Sequence, residues 1–270
     1  MKKILLFTML LSILVSCTSD NNVQPAPILV FQGDLILRSQ ADVVAYGAQG
    51  YNVINGYLNI GDRSSDDQPI IPSDITDLSP LSSIIQVTKQ IEIQSNPLLT
   101  SLSGLENLAS VAGIVINSND NMTSLNGLEG ITTITDAPFP TGQVQLSGGV
   151  IAIFDNPSLA SMEALGNITP QTLQQVSIND NGVTSLDGLE SITSISSLGI
   201  VNNDALTSLD ALQGLVTIES AIYIAGNDNL TNYCILQAPL QSNTSLSIFN
   251  VLNNQFNPTQ QNIIDGNCSQ

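Results

Sequence analysis

Two pairs of carboxylates lie close enough in the chain to act together as acid and base: Asp66 with Asp67, and Asp187 with Glu190. Glycoside hydrolysis uses two such groups, one protonating the leaving oxygen and one attacking or activating water. A polysaccharide-acting enzyme, or a carbohydrate-uptake accessory, is therefore one reading. The second pair also has a scaffold reading, because Glu106 and Glu129 hold the Glu190 position in other copies of a repeat. The runs Asn117 to Asn121 (NSNDN), Asn179 to Asn181 (NDN) and Asn202 to Asp204 (NND) offer the hard oxygen ligands that calcium takes. Neither EF-hand spacing nor a glycine-rich calcium nonapeptide accompanies them, so no cofactor is expected and calcium is a lesser alternative. Thr100, Thr123, Thr184, Thr207 and Thr231 align in a single column, with Ala160 in one copy. Such a column raises ice binding, but beside inward Leu it reads more simply as a structural ladder. With no His in the chain, the commonest general base and transition-metal ligand are missing. Triad and zinc catalysis are excluded, the basic residues are too sparse for a uronate lyase, and the expectation is a protein that is not an enzyme.

The elements that carry these residues are set by repetition. Each copy opens with alternating aliphatics, as in Ile91 and Ile93, Ile114 and Ile116, or Ile222 and Ile224, which marks a strand with one buried face. Three residues later comes an Asn: Asn96, Asn119, Asn156, Asn181, Asn203 or Asn227. A buried amide both donates and accepts, so stacked Asn side chains can satisfy turn groups that a sheet leaves unpaired. Apolar residues at three-residue spacing follow, beginning at Leu78, Leu102, Leu125, Met162, Leu186, Leu209 and Tyr233. That spacing suits a short 3₁₀-like arc. Gly104, Gly127 and Gly188, with Ala164 and Ala211 in the same slot, point to a need for small size. A step of about 24 residues is the period of stacked coils, and it breaks at residues 61–77 and 136–149. Protruding loops there are candidate ligand contacts or silent insertions. Residues 41–49 have helical spacing and are expected to cap the first coil.

Residues 1–16 read as a secretory signal: Lys2 and Lys3, then an apolar run from Ile4 to Val15 that is too short to span a bilayer. Leu14-Val15-Ser16-Cys17 resembles the bacterial lipobox. The resemblance implies cleavage before Cys17, acylation (palmitate among the chains) and membrane attachment. Thr18 rather than Asp follows the Cys, which implies outer-membrane delivery, and residues 17–27 form the lipidated Cys and a polar tether. Loss of Lys2 and Lys3 takes the formal charge from −18 to about −20. A polyanion of that kind repels nucleic acid and anionic headgroups. An exported chain meets an oxidising compartment, so Cys234 and Cys268 are expected to form a disulfide that pins the terminal cap.

The pattern I-x-I-x-x-N-x-x-L-T-S-L-x-G-L, clearest from Ile91 to Leu105, resembles the receptor L-domain family, which is similar to leucine-rich repeats. Arrays like it occur in surface lipoproteins of Bacteroidetes type. The resemblance spans residues 28–270 and implies a mainly β, right-handed parallel β-solenoid of about seven coils with N- and C-terminal caps. It implies a monomeric, surface-exposed outer-membrane lipoprotein, anchored by lipid and facing the cell exterior, that acts as a non-catalytic binding or adhesion module. The ligand would be a protein or a glycan.

Overall fold

The computed structural model describes residues 27–62, 72–135, 149–169, 171–243 and 245–270. The alternating aliphatics form β2 (Leu35–Leu37), β4 (Leu58–Gly61), β6 (Gln90–Gln94), β8 (Gly113–Asn117), β10 (Gly149–Asn156), β11 (Gln171–Asn181), β12 (Ile192–Val201), β13 (Thr217–Ala225) and β14 (Ile248–Leu252). All pair in parallel, in sequence order, as one nine-stranded sheet. Register holds like to like, since Leu58 faces Ile91, Ile91 faces Ile114, Ile114 faces Ile151, and the column runs on through Val176, Leu198 and Ile222. These side chains are at most 1% exposed. No strand could bury so regular a face alone; each coil supplies the wall against which the next one packs.

A second parallel sheet, not anticipated from the alternation, is built from β1 (Val30–Gln32), β3 (Val53–Asn55), β5 (Gln86–Val87), β7 (Ser110–Val111) and β9 (Thr133–Ile134). Its strands hold two or three residues each, too few to show a period, and they bury the last apolar residue of each arc: Val87, Val111 and Ile134. Beyond β9 the two segments of a coil merge. β11, β12 and β13 each run through both faces as one strand, with register shifts between Gln171 and Thr172 and between Ile195 and Ser197. A bulge absorbs the bend that a corner makes in the earlier coils.

The arcs take two forms. Short 3₁₀ turns at Ser79–Leu81, Glu163–Leu165, Asp210–Leu212 and Cys234–Leu236 carry Pro80, Ala164, Ala211 and Ile235 in the slot that Gly104, Gly127 and Gly188 fill elsewhere. Small size is therefore not the requirement. The three glycines have φ of +106° to +112°, a left-handed conformation, and a Cβ on Gly127 would lie 2.0 Å from the Leu102 carbonyl oxygen.

α1 (Gln40–Gly47) begins and ends earlier than residues 41–49. Ser39 and Asp42 form a capping box, and the helix packs on the 3₁₀ turn at Ser79–Leu81, serving as the arc of the first coil. Phe31 meets Tyr46 and Tyr51 edge-on, with centroids 6.0 and 5.4 Å apart. At the other end lie α2 (Gln237–Ser242) and α3 (Gln260–Ile264), with the Cys234–Cys268 disulfide spanning 4.8 Å between Cα atoms. Tyr233 is fully buried and donates to the Phe256 carbonyl at 2.8 Å, and burial pushes its phenol pKa up. No helix among the described residues is long and apolar enough to cross a membrane.

Candidate functional site

The six Asn residues stand in one buried column, none more than 5% exposed. Asn119 shows the pattern. Its Nδ2 donates to the Asn117 carbonyl in its own coil, to the Ile93 carbonyl of the coil before and to Asn156 Oδ1 of the coil after, at 3.0 to 3.1 Å. Its Oδ1 accepts both the backbone N–H and the Nδ2 of Asn96. Three members escaped the sequence reading. Ser73 Oγ donates to Asn96 Oδ1 at the leading end, and Asn254 with Asn257 closes the far end. The residue before each Asn turns left-handed, with φ of 53° to 57° at Ser95, Ser118, Asp155, Asp180 and Asn202. That conformation favours Asn, Asp and Gly, and it accounts for the Asn- and Asp-rich runs in the sequence.

The carboxylates are tied to local structure. Glu190 accepts the Gly188 N–H at 3.0 Å, as Glu106 and Glu129 do for Gly104 and Gly127, while Asp187 accepts from Ser185 Oγ at 2.8 Å. Among the described residues no group of three or more His, Cys, Asp or Glu side chains is placed to hold a metal ion. Asp155 has its pKa raised by burial and by the nearby carboxylates Asp180 and Asp120. A groove of about 400 Å³ beside them is lined by Asp180, Asn181, Asn202 and Asp204. The Thr column is exposed except for half-buried Thr231. Cys17 and the pair Asp66 and Asp67 lie outside the described residues, as do residues 63–71 and 136–148 of the two period breaks. The described flanks belong to the scaffold: Gly61 ends β4, Gly149 opens β10 and Ser73 joins the Asn column.

What remains uncommitted is the outward face of the nine-stranded sheet, and its two parts differ. Across β2, β4 and β6 the central outward column is Ile36, Asn59 and Glu92. Charges surround it: Lys89 Nζ lies 4.7 Å from the Tyr57 ring centroid and 3.8 Å from Asp34, and Arg38 lies 3.6 Å from Asp62. Glu92 is only 4% exposed and accepts from Gln94 at 3.2 Å. From β8 to β14 the same column continues as Val115, Ala152, Ser177, Gly199, Tyr223 and Asn250. The outward positions two residues to either side of it, such as Gln175, Asn179, Ser197, Phe154 and Val201, are uncharged as well, while farther out the same strands carry Asp155, Asp180 and Glu219, the last accepting from Ser196 Oγ at 2.6 Å. Asn179 Nδ2 donates to Ser177 Oγ at 3.1 Å, while its Oδ1 is buried without a hydrogen-bond partner. Nothing in the sequence marked these positions, because outward residues do not repeat.

Residues 52–171 match the Receptor L domain family. The match covers β3 to the first residue of β11 and supports an L-domain-like, leucine-rich-repeat-like fold. The Receptor L domain is a ligand-binding family, generally non-enzymatic. No curated protein and no solved structure matches the chain.

Proposed function

We propose that this protein is a surface-exposed outer-membrane lipoprotein, anchored through acylated Cys17, that recognises a protein or glycan through the outward face of its nine-stranded sheet. The observation that carries this reading is the lack of charge along the central outward column from β8 to β14 and the positions directly beside it, in a chain whose formal charge is −18. Charged side chains are what evolution places on idle surface, and their removal over a contiguous area favours contact over solvation. In this reading the coils wind right-handed, the hand that parallel crossovers take in about 98% of cases. About seven repeat coils then lie between a leading and a closing one.

Full-length protein extracted in detergent and applied to glycan and matrix-protein arrays should bind at least one ligand saturably. Ser177→Arg, which places a long cation on the face, should weaken that binding about tenfold or more in protein that circular dichroism shows to be folded. Turnover of any polysaccharide would favour the enzymatic reading instead. Cys17→Ala should leave the membrane fraction, and unchanged membrane association would refute the anchor.

A further inference from the structure

Resting on the reading that this face binds the ligand, we propose that its C-terminal part takes a neutral, hydroxyl-rich saccharide chain laid across the strands along Ala152, Ser177 and Gly199. These three residues sit on adjacent strands in one column and carry almost no side chain, so they form the floor of a shallow trough. A Cβ on Gly199 would lie 3.2 Å from Ser177 Oγ, so a side chain there would push on Ser177 and fill the floor. Val115 stands at one end and Tyr223 at the other, four strand spacings or about 19 Å apart. That length holds several sugar residues of an extended chain.

The chemistry along the trough is selective. Tyr223 is 42% exposed, and its ring offers an apolar surface for the C–H face of a pyranose, with a hydroxyl at its tip. Gln175 and Asn179 flank the floor on either side, and amides both donate and accept, which suits hydroxyl groups. Asn179 Nδ2 donates to Ser177 Oγ at 3.1 Å, which fixes that amide at the edge of the floor. A protein partner would instead be met by the aromatic, Met and Arg anchors that mark the centres of protein interfaces. The trough floor has none. Acidic saccharides are disfavoured by the adjoining turn edge, where Asp120, Asp155 and Asp180 already repel one another.

The test titrates detergent-solubilised full-length protein with a soluble β-glucan, a mannan, a xylan and, as the anionic control, polygalacturonate. At least one neutral polymer should bind saturably, with an affinity unchanged by added salt because no charge is engaged. Ser177→Arg should weaken that binding about tenfold or more, and Tyr223→Ala about fivefold, in variants that circular dichroism shows to be folded at the assay temperature. Failure of every neutral polymer, binding of polygalacturonate alone, or undiminished binding by Ser177→Arg would overturn the proposal. If all saccharides fail but a protein ligand found on the arrays is lost in Ser177→Arg, the face stands and only the ligand class falls. If every ligand binds Ser177→Arg as well as wild type, the face itself is wrong.

Discussion

The coils before and after the break at residues 136–149 share an interior and differ in almost everything outside it. In the first group each coil folds into two short strands with a corner between them, and the outward column of β2, β4 and β6 is bordered by the ion pairs Lys89–Asp34 and Arg38–Asp62, with Gln94 donating to Glu92. In the second, one long strand bends through a bulge, and its central outward column, Ala152, Ser177, Gly199 and Tyr223, is uncharged. The two ends differ as well. Leu35 and Leu37 of β2 are sealed at 2% and 0% exposure, whereas Phe249 and Val251, their counterparts on β14, stay half-buried. Identical inward columns thus support two unlike surfaces, which separates the residues that hold the stack from those that give it a purpose. The leading part borders its face with charge and the trailing part does not, while a buried amide oxygen without a partner occurs in both, at Asn59 and at Asn179.

The strongest way to break the comparison is at the joint between the two groups. Asn156→Leu keeps the volume but strips partners from the Ile116 and Phe154 carbonyls, the Asn119 N–H and Asn181 Oδ1, all in the buried column. At about 1–3 kcal/mol for each buried group left unpaired, the loss should reach about 4 kcal/mol or more. Urea unfolding should split into two transitions, separable by hydrogen exchange on β6 and β12. Cys234→Ser combined with Cys268→Ser comes next. Their sequence separation of 34 corresponds to about 3–4 kcal/mol in the chain-entropy model. Exchange should rise in α2, β14 and α3 and stay unchanged in α1 and β2. Third, Gly127→Ala should cost about 2 kcal/mol, since its φ of +112° is one that L residues avoid. Ala164→Gly, in a 3₁₀ arc of the second group, should cost no more than about 1 kcal/mol. Equal losses would show that the two arc forms are not distinct.

The smallest effect is Asp155→Asn. Because its folded pKa is raised, Asp155 contributes stability that is fully present below its ordinary value of 3.8 and is lost as pH rises through the raised one. Asn also tolerates the φ of 57° there. The variant should melt slightly higher than wild type at neutral pH and lose that advantage below pH 3.8. A gain independent of pH would exclude carboxylate repulsion at this turn.

How much of this was legible in the chain depends on whether a feature recurs. Inward pairs such as Ile91 and Ile93 recur with fixed spacing, so the parallel sheet they build is readable from side-chain type alone. Gln86–Val87 and Ser110–Val111 are strands only because a neighbouring coil supplies their hydrogen bonds, and two residues carry no period. The slot holding Gly127 reads as a demand for small size until Pro80 and Ile235 are found in it; the deciding quantity is a backbone angle. Of the face itself almost nothing was legible. Ala152, Ser177 and Gly199 share a column through register, not through likeness, and a lone unpaired oxygen on Asn179 has no signature in letters.

The Asn column meets its next member after 22 residues in one place and after 37 in another, with nearly the same bond lengths. Chain length between coils is therefore free, so long as each coil brings its own amide. A coil with that amide is a heritable cassette: it can be duplicated, deleted or interrupted by a loop as a whole unit, and the neighbours still find the same contact. Lineages can then vary ligand choice by exchanging outward residues and inserting loops, while the interior passes unchanged from copy to copy.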